Sequence, residues 1–440
     1  MHFLSILHQS LTITALGATL YLYYYTAFCG WKWKGKYAET RVLFLADPQI
    51  EGDAKIFRQG KRGEIDVWAN DIYLRHIYTS FVSPYSLFTR KPTHTIVLGD
   101  LFSSQWIGQR EFNERVKRYK WIFGDTRKEY NHKFINLTGN HDIGYNWDIN
   151  QYRVNRWKNE FGQMNFLDWI PSDKKKVHRM SVINSMNVDG PALDEISRSE
   201  TWSLLDNLAE EREKDNYQTP LIFLTHIPIY KEEGICVDGP MTIYDDTGNF
   251  IREQNHLLQN SSEFILTRLR PRFIFAGHDH EGCDVTHVVR MKENNEYLIN
   301  HYRTQDFENE KNQIILKNDY TENGKLKENI WIVREVTVRS VMGAYSGNAG
   351  LFEINRQINK DGSEEFEYNY SSCPFVINHI PWVVFITDII VILGWIIRYT
   401  LADLNITFPN HLKKLLLSRE KQKKKIVRRN SCNNILNNIK

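Results

Sequence analysis

Residues 134–145 read Phe-Ile-Asn-Leu-Thr-Gly-Asn-His-Asp-Ile-Gly-Tyr, a short apolar run that stops at a glycine and then presents an amide, an imidazole and a carboxylate in succession. Such a run predicts a buried strand. The same grammar recurs in Arg41–Asp47 (RVLFLAD), Thr95–Asp100 (TIVLGD), Pro220–His226 (PLIFLTH) and Phe273–Gly277 (FIFAG). Amphipathic helical patterns intervene at Asp66–Phe81, Glu111–Phe123 and Thr201–Lys214. Strands alternating with helices predict a layered α/β domain whose polar strand ends form the site. Ile330–Ser340 and Gly350–Ile354 read as further strands, and the Asn/Lys/Glu-rich stretch of about 293–329 as a surface insertion.

A chain of 440 residues with 42% hydrophobic content accommodates one catalytic domain, read as 38–372, plus tails. The net charge of +3 hides a division: Lys413 to Lys440 holds ten Lys or Arg against one acid, about +9, which leaves the remainder at about −6. An acidic body excludes nucleic acid as its main partner, because phosphate contacts demand clustered Lys and Arg. Five cysteines form no CxxC pair. Cys236, Cys283 and Cys373 read as buried free thiols, with a Cys236–Cys283 disulfide the alternative in an oxidising compartment.

Two segments read as membrane helices. Met1 to Trp31 contains no Asp, Glu, Lys or Arg, and its apolar stretch Phe3–Phe28 exceeds the roughly 20 residues a span requires. Phe375–Ile397, within a second segment read as 375–402, is apolar apart from His379 and Asp388. The basic tail, 403–440, then places both termini in the cytosol and the body in the lumen. Lys32, Lys34 and Lys36, just after the first segment, disagree with that orientation. The acceptor triplets at Asn136, Asn260 and Asn369 agree with it, although that at Asn136 lies within a strand of the site, where a glycan is hard to fit.

Asp47-Pro48-Gln49, Gly99-Asp100, Gly139-Asn140-His141-Asp142, His226 and Gly277-His278-Asp279-His280 follow the five strands. A site for two divalent cations needs carboxylate and amide oxygens, neutral imidazoles and one anionic ligand able to bridge ions about 3.5–4 Å apart. Singly each cluster is ordinary, since a lone Gly-Asp is a turn and a lone HxH at a strand end is structural. Five in order, each after a strand, supply the whole donor mixture.

These clusters resemble the calcineurin-like metallophosphoesterase pattern D-x-H, GD, GNH-D/E, H and GH-x-H, over Arg41 to about His287. The resemblance implies two packed β-sheets flanked by helices. It makes Asp47 and His280 ligands of one metal, Asp100 the bridge, and Asn140, His226 and His278 ligands of the other. It also implies His141 as general acid, with Asp142 orienting its ring. The departure is Gln49, where the family has histidine: an amide oxygen binds Mn²⁺ or Mg²⁺ but is a poorer ligand for zinc. The implied cofactor is a pair of divalent ions, manganese before zinc, iron or magnesium.

The stretches LADPQIEGD, VLGDLFSSQW, TGNHDIGY and GHDHEGCD, with the two anchors, are similar to fungal endoplasmic-reticulum phosphodiesterases that remove an ethanolamine-phosphate branch from a GPI-anchor mannose. The similarity is closer to the branch acting on the second mannose. It implies the GPI glycan or a GPI-anchored protein as substrate, the lipid bilayer and cargo receptors as partners, and a role in export from that compartment. Glu51, Asp53, Glu232 and Glu233 are candidates to meet the ethanolamine ammonium, and Tyr145 or Trp147 to wall a cation–π site. Met342–Gly350 is read as a strand connection, with a loop bordering the glycan as the alternative. The competing functions are a luminal phosphodiesterase for another head group or a nucleotide, and a non-catalytic scaffold.

Overall fold

The computed structural model describes residues 2–28, 32–34, 38, 40–82, 90–124, 133–172, 175–321, 326–358, 364–375, 380–400 and 418–419. The basic tail thus lies outside the described residues apart from Ser418 and Arg419. The chain divides into two units, Met1–Tyr23 with His379–Lys440, and Tyr24–Asn378.

In the larger unit the strands run β1 (Thr40–Leu45), β2 (His94–Val97), β3 (Lys133–Asn136), β4 (Phe166–Ser172), β5 (Lys175–Val182), β6 (Leu221–Leu224) and β7 (Thr242–Tyr244). They continue with β8 (Ile251–Gln254), β9 (Phe273–Ala276), β10 (Cys283–Met291), β11 (Tyr297–Arg303), β12 (Ile330–Thr337), β13 (Asn348–Ile358) and β14 (Glu364–Pro374). One sheet has the order β14-β13-β1-β2-β3, the other β11-β10-β12-β9-β6-β5-β4, and β7-β8 is a separate hairpin. The central strands of both large sheets are parallel.

The expected five strands are all present, and their apolar runs follow from burial on both faces. Val42 and Phe44 of β1, with Ala46 just after it, meet Ile222, Leu224 and Phe275 of the other sheet in one buried cluster. Phe44 stacks on Phe275 at 4.2 Å between ring centroids. The alternate residues Leu43 and Leu45 belong to a second cluster with Leu74, Ile77 and Phe81 of helix Lys61–Val82. Ring contacts of Tyr78 and Phe123 with Phe134 place that helix and Gln109–Phe123 on the five-stranded sheet. Glu195–Lys214 supplies Leu205 and Leu208 to the layer that covers Phe223 and Ile274. The result is helix, sheet, sheet, helix.

The stretch read as an insertion, 293–329, contains β11, hydrogen-bonded to β10, and helix Thr304–Ile314, whose Phe307 is buried with Val288 and Ile315. Free thiols are corrected. Cys236 and Cys283 form a disulfide, and Cys373 is disulfide-bonded as well. Burial and redox state are separate properties, and apolar burial alone could not distinguish a thiol from a bridge.

The smaller unit supports one of the two expected spans. Among the described residues one helix, Ile380–Thr400, is long and apolar enough to cross a membrane. Helix His2–Phe28 has 27 residues, with two histidines, four threonines and four tyrosines among them. Those polar residues meet the other helix along one stripe. Thr19 donates to Asp388 at 2.7 Å, Trp395 donates to Thr12 at 3.0 Å, and His8 lies 3.2 Å from the Val391 carbonyl. Positions 8, 12 and 19 therefore pair antiparallel with 391–395 and 388, so the mid-helix Asp388 has a hydroxyl partner.

Candidate metal centre

The five strand ends converge at the C-terminal edges of β1, β2, β3, β6 and β9. Asp47, Gln49, Asp100 and His278 all have left-handed backbone, with φ of 51°, 40°, 48° and 71°. Side chains other than glycine hold that conformation at a cost of about 1–3 kcal/mol each, and such strain concentrates at functional sites. Of the neighbouring glycines, Gly99 is needed both for its φ of 97° and for space, and Gly139, in extended backbone, for space alone. A Cβ on Gly99 would stand 2.4 Å from His226 Nδ1, and one on Gly139 2.1 Å from Asp100 Oδ1.

Asp100 is central. Its Oδ1 lies 3.4 Å from His226 Nε2 and accepts the His141 backbone N–H at 2.9 Å. Its Oδ2 accepts from Gln49 Nε2 at 3.2 Å and faces His141 Nε2 at 3.8 Å. The two oxygens thus address two groups of side chains: His226 with Asn140, 3.1 Å apart, and Gln49 with His280, 3.3 Å apart. Ligand atoms of Asp100, His226 and His278 all lie within 4.8 Å of one another. Asp47 is fully buried beneath, and both its oxygens accept the His278 N–H at 3.2 Å.

Backbone carbonyls fix the imidazoles. Leu98 O takes His226 Nδ1 at 2.7 Å, and Gln254 O takes His278 Nε2 at 2.8 Å. A nitrogen bonded to a carbonyl carries the proton, so His226 Nε2 and His278 Nδ1 remain as ligand atoms. Burial lowers the pKa of all three site imidazoles, His278 to about 3, so they are neutral donors near pH 7. Burial, then the Asp100 charge, pushes the Asp47 carboxyl well up. Burial would raise Asp100 too, but His141, His226 and His278 hold it below the usual range. Two buried carboxylates with three neutral imidazoles and two amides form a donor set that fits divalent cations, whose charge would relieve the crowding of Asp47 and Asp100.

Gln49 reaches the centre, 3.3 Å from His280 and 3.2 Å from Asp100. The Asp47/His280 position is then the softer one, and Gln49→His should raise the metal retained after chelation. Equal retention by the two proteins, measured as metal content, would count against a ligand role for this position.

Asp142 requires a correction. Its carboxylate accepts the N–H groups of Leu101 and Phe102 at 3.2 Å and of Gly139 at 2.9 Å. A buried carboxylate satisfies the nearest donors, and here those are backbone, so Asp142 ties the β2 loop to the β3 loop instead of orienting the His141 ring. His141 itself is partly exposed and lines a cleft of about 580 Å³ with Gln49, Asp100, Asn140, His278 and His280. The cleft continues past Trp106, Tyr145 and Trp147 to Arg252 and Glu253 on β8.

Tyr145 and Trp147 therefore lie where expected, but the four acidic candidates do not. Glu51 pairs with Lys55, Asp53 lies 3.6 Å from Arg115, Glu232 lies 3.7 Å from His301, and Glu233 is exposed outside the cleft. Trp106 was findable, six residues beyond Asp100 on the same loop; Arg252 and Glu253 sit on a hairpin far from any motif. Arg153 lies 4.5 Å over Trp106 and Arg252 5.9 Å from Trp147, so these indoles already have guanidinium partners. The Met342–Gly350 connection brings Tyr345 to 4.6 Å from the His280 ring, which makes it a border of the centre as well as a strand connection.

Comparison with known proteins agrees with this geometry. The model of the calcineurin-like phosphoesterase family matches residues 40–282. Protein TED1 of Saccharomyces cerevisiae is 29% identical over 83% of this chain and 85% of its own length. Metallophosphoesterase 1 of Xenopus laevis is 27% identical over 67% of this chain and 76% of its own. An uncharacterized Schizosaccharomyces pombe protein, C23A1.02c, is 32% identical over 56% and 63%. With five motif clusters gathered around Asp100 and a family match over more than half its length, the chain belongs to the calcineurin-like phosphoesterases, metal-dependent hydrolases of phosphoesters.

Proposed function

We propose that the protein is a two-metal phosphodiesterase that removes an ethanolamine-phosphate branch from a GPI-anchor mannose, the second mannose in preference to the first, on the luminal side of the endoplasmic reticulum membrane. The observation that carries this reading is the lining of the cleft. Beside the metal ligands it offers indole faces for a sugar, Ser103, Gln105 and Asn255 for hydroxyls, and Glu253 for an ammonium. Two divalent cations, manganese for preference, would lower the pKa of a water and offset charge on the phosphoryl oxygens. Asp47, Gln49, Asp100, Asn140, His226, His278 and His280 would hold them. The chain's own part in the reaction is to orient the ester in the cleft and to deliver a proton from His141 to the departing oxygen.

The Cys236–Cys283 disulfide supports an oxidising compartment. The helix Ile380–Thr400, followed by the basic tail, supports a membrane anchor with a cytosolic C-terminus. Lys32, Lys34 and Lys36 keep their charge, Lys32 as a donor to the Ser372 carbonyl at 2.7 Å, and are outweighed by the ten basic residues of the tail. The glycan as substrate, cargo receptors as partners and a role in export follow from the resemblance and stand with this proposal. A scaffold would have no use for Asp100 and His141 in their present geometry.

The mass of GPI precursor glycans in cells with and without the protein tests the reading: ethanolamine-phosphate should be retained on loss, and an unchanged mass would sink it. Glu253→Gln separates head groups. It should raise KM for an ethanolamine-phosphate ester and leave that for an uncharged phosphodiester unchanged; an equal change in both would favour a different head group.

A further inference from the structure

Helix Lys61–Val82 buries one face, through Val67, Leu74, Ile77 and Phe81, and leaves the opposite one bare. On that bare face Ile65, Trp68 and Ile72 follow one another at helical spacing, exposed by 51%, 63% and 39%. Trp121 of the adjacent helix, 48% exposed, continues the patch at its far end, where Arg75 lies 4.6 Å over its ring. A soluble surface scatters such residues singly; two tryptophans and two isoleucines in one stripe mark a contact surface.

Phe375 and Lys32, the described residues next in sequence to helices Ile380–Thr400 and His2–Phe28, meet this helix and strand β14 respectively. Phe375 packs edge-on against Phe81 at 6.2 Å, and its N–H bonds Gly347 O, where Tyr73 of the helix also sits. Ile380, the first residue of the apolar helix, follows Phe375 by five residues, a reach of at most about 18 Å. At the other connection, Lys32 bonds the Ser372 carbonyl, and helix His2–Phe28 ends four residues earlier. Ile72 precedes Tyr73 by one residue and Trp68 precedes it by five, both turned to the exposed side of the helix. With Ile380–Thr400 in a bilayer, the unit that carries the stripe is tethered to that bilayer by the five residues that lead from Phe375 to Ile380.

We propose that the Ile65/Trp68/Ile72 face of helix Lys61–Val82, with Trp121, docks on the lipid bilayer and so sets the orientation of the catalytic cleft toward the membrane. The chemistry selects the kind of surface. Of the nearby cations Lys61 pairs with Glu64 at 2.8 Å and Arg62 with Asp66 at 3.8 Å, while Arg75 is held by the ring and carbonyl of Trp121, so attraction comes chiefly from apolar and indole groups and does not require anionic lipid. This is independent of the substrate assigned above.

The test uses the full chain, reconstituted into phosphatidylcholine vesicles. An environment-sensitive fluorophore is attached at Trp68→Cys, at Ile72→Cys and, as control, at Ile196→Cys, an exposed apolar position (63%) on the helix covering the other sheet. Labelling of the parent chain is subtracted. Doxyl lipid should quench positions 68 and 72 about threefold or more beyond position 196, with little change when phosphatidylserine is added. Equal quenching at the three positions would overturn the proposal. So would quenching that appears only with phosphatidylserine, or a chain that fails to float with the vesicles. Metal content equal to the parent's shows that each labelled chain is folded.

Discussion

Replacing His141 by alanine is expected to leave the metal content unchanged and to lower kcat on alkyl phosphodiesters by about 10²–10⁴. The substitution is clean because the part of His141 that supports the centre is its backbone. The N–H that bonds Asp100 Oδ1 at 2.9 Å survives in alanine, whereas the ring, with Nε2 3.8 Å from Asp100 Oδ2, is lost. The ring lies at the cleft, on the side open to a leaving group. An alkoxide leaves poorly without a proton, and a nitrophenolate leaves well. The loss should therefore be much smaller on a nitrophenyl diester, and metal analysis should show no change. Full turnover on the alkyl ester would remove His141 from the role of acid, and loss of metal would reassign it to the ligand set.

Glu335→Ala should cost about 3–5 kcal/mol of stability, read from the denaturant midpoint, because it strands a buried cation. Lys231 Nζ lies 2.8 Å from Glu335, and both side chains are excluded from water. The same carboxylate accepts from His287 Nε2 at 3.1 Å and from the Ile229 N–H at 2.9 Å. Burial alone would raise the Glu335 pKa, but Lys231 and His287 outweigh it and bring it to about 2, from 4.5. A depressed carboxyl contributes stability above its unfolded pKa and loses it as pH falls. The gap between parent and variant should thus be full above pH 4.5 and shrink toward pH 2. A gap constant across that range would mean that the carboxylate charge is not what stabilises the parent. Ile229 follows the ligand His226 by three residues, so a secondary loss of metal is expected.

The elements that position the centre were legible because each is a buried parallel strand, where apolar runs are continuous and a polar residue at the end is conspicuous. Asp47, Asp100, Asn140, His226, His278 and His280 stood out for that reason. What was illegible depends on tertiary contacts between unrelated segments. Asp142 looked like a partner of its neighbour His141, yet its oxygens serve Leu101 and Phe102 from another loop. Glu253 reaches the cleft from a two-stranded hairpin whose sequence carries no periodicity toward the site. Acidic residues near a motif in sequence, such as Glu51 and Asp53, were drawn instead to Lys55 and Arg115. The Cys236–Cys283 disulfide is not decided by the sequence, since spacing says nothing about which loops approach.

β1 sits in the middle of its sheet, between β2 and a strand whose residue Ile354 pairs with Thr40. During synthesis that partner emerges about 300 residues later, which at about 5–20 residues per second leaves one edge of β1 unpaired for about 15–60 s. The ligand set is likewise incomplete until His280 has appeared. Cations therefore arrive late in the assembly of this protein and cannot guide its first steps, and the nascent chain must be kept from pairing its open edge with another molecule until its last strands close the sheet.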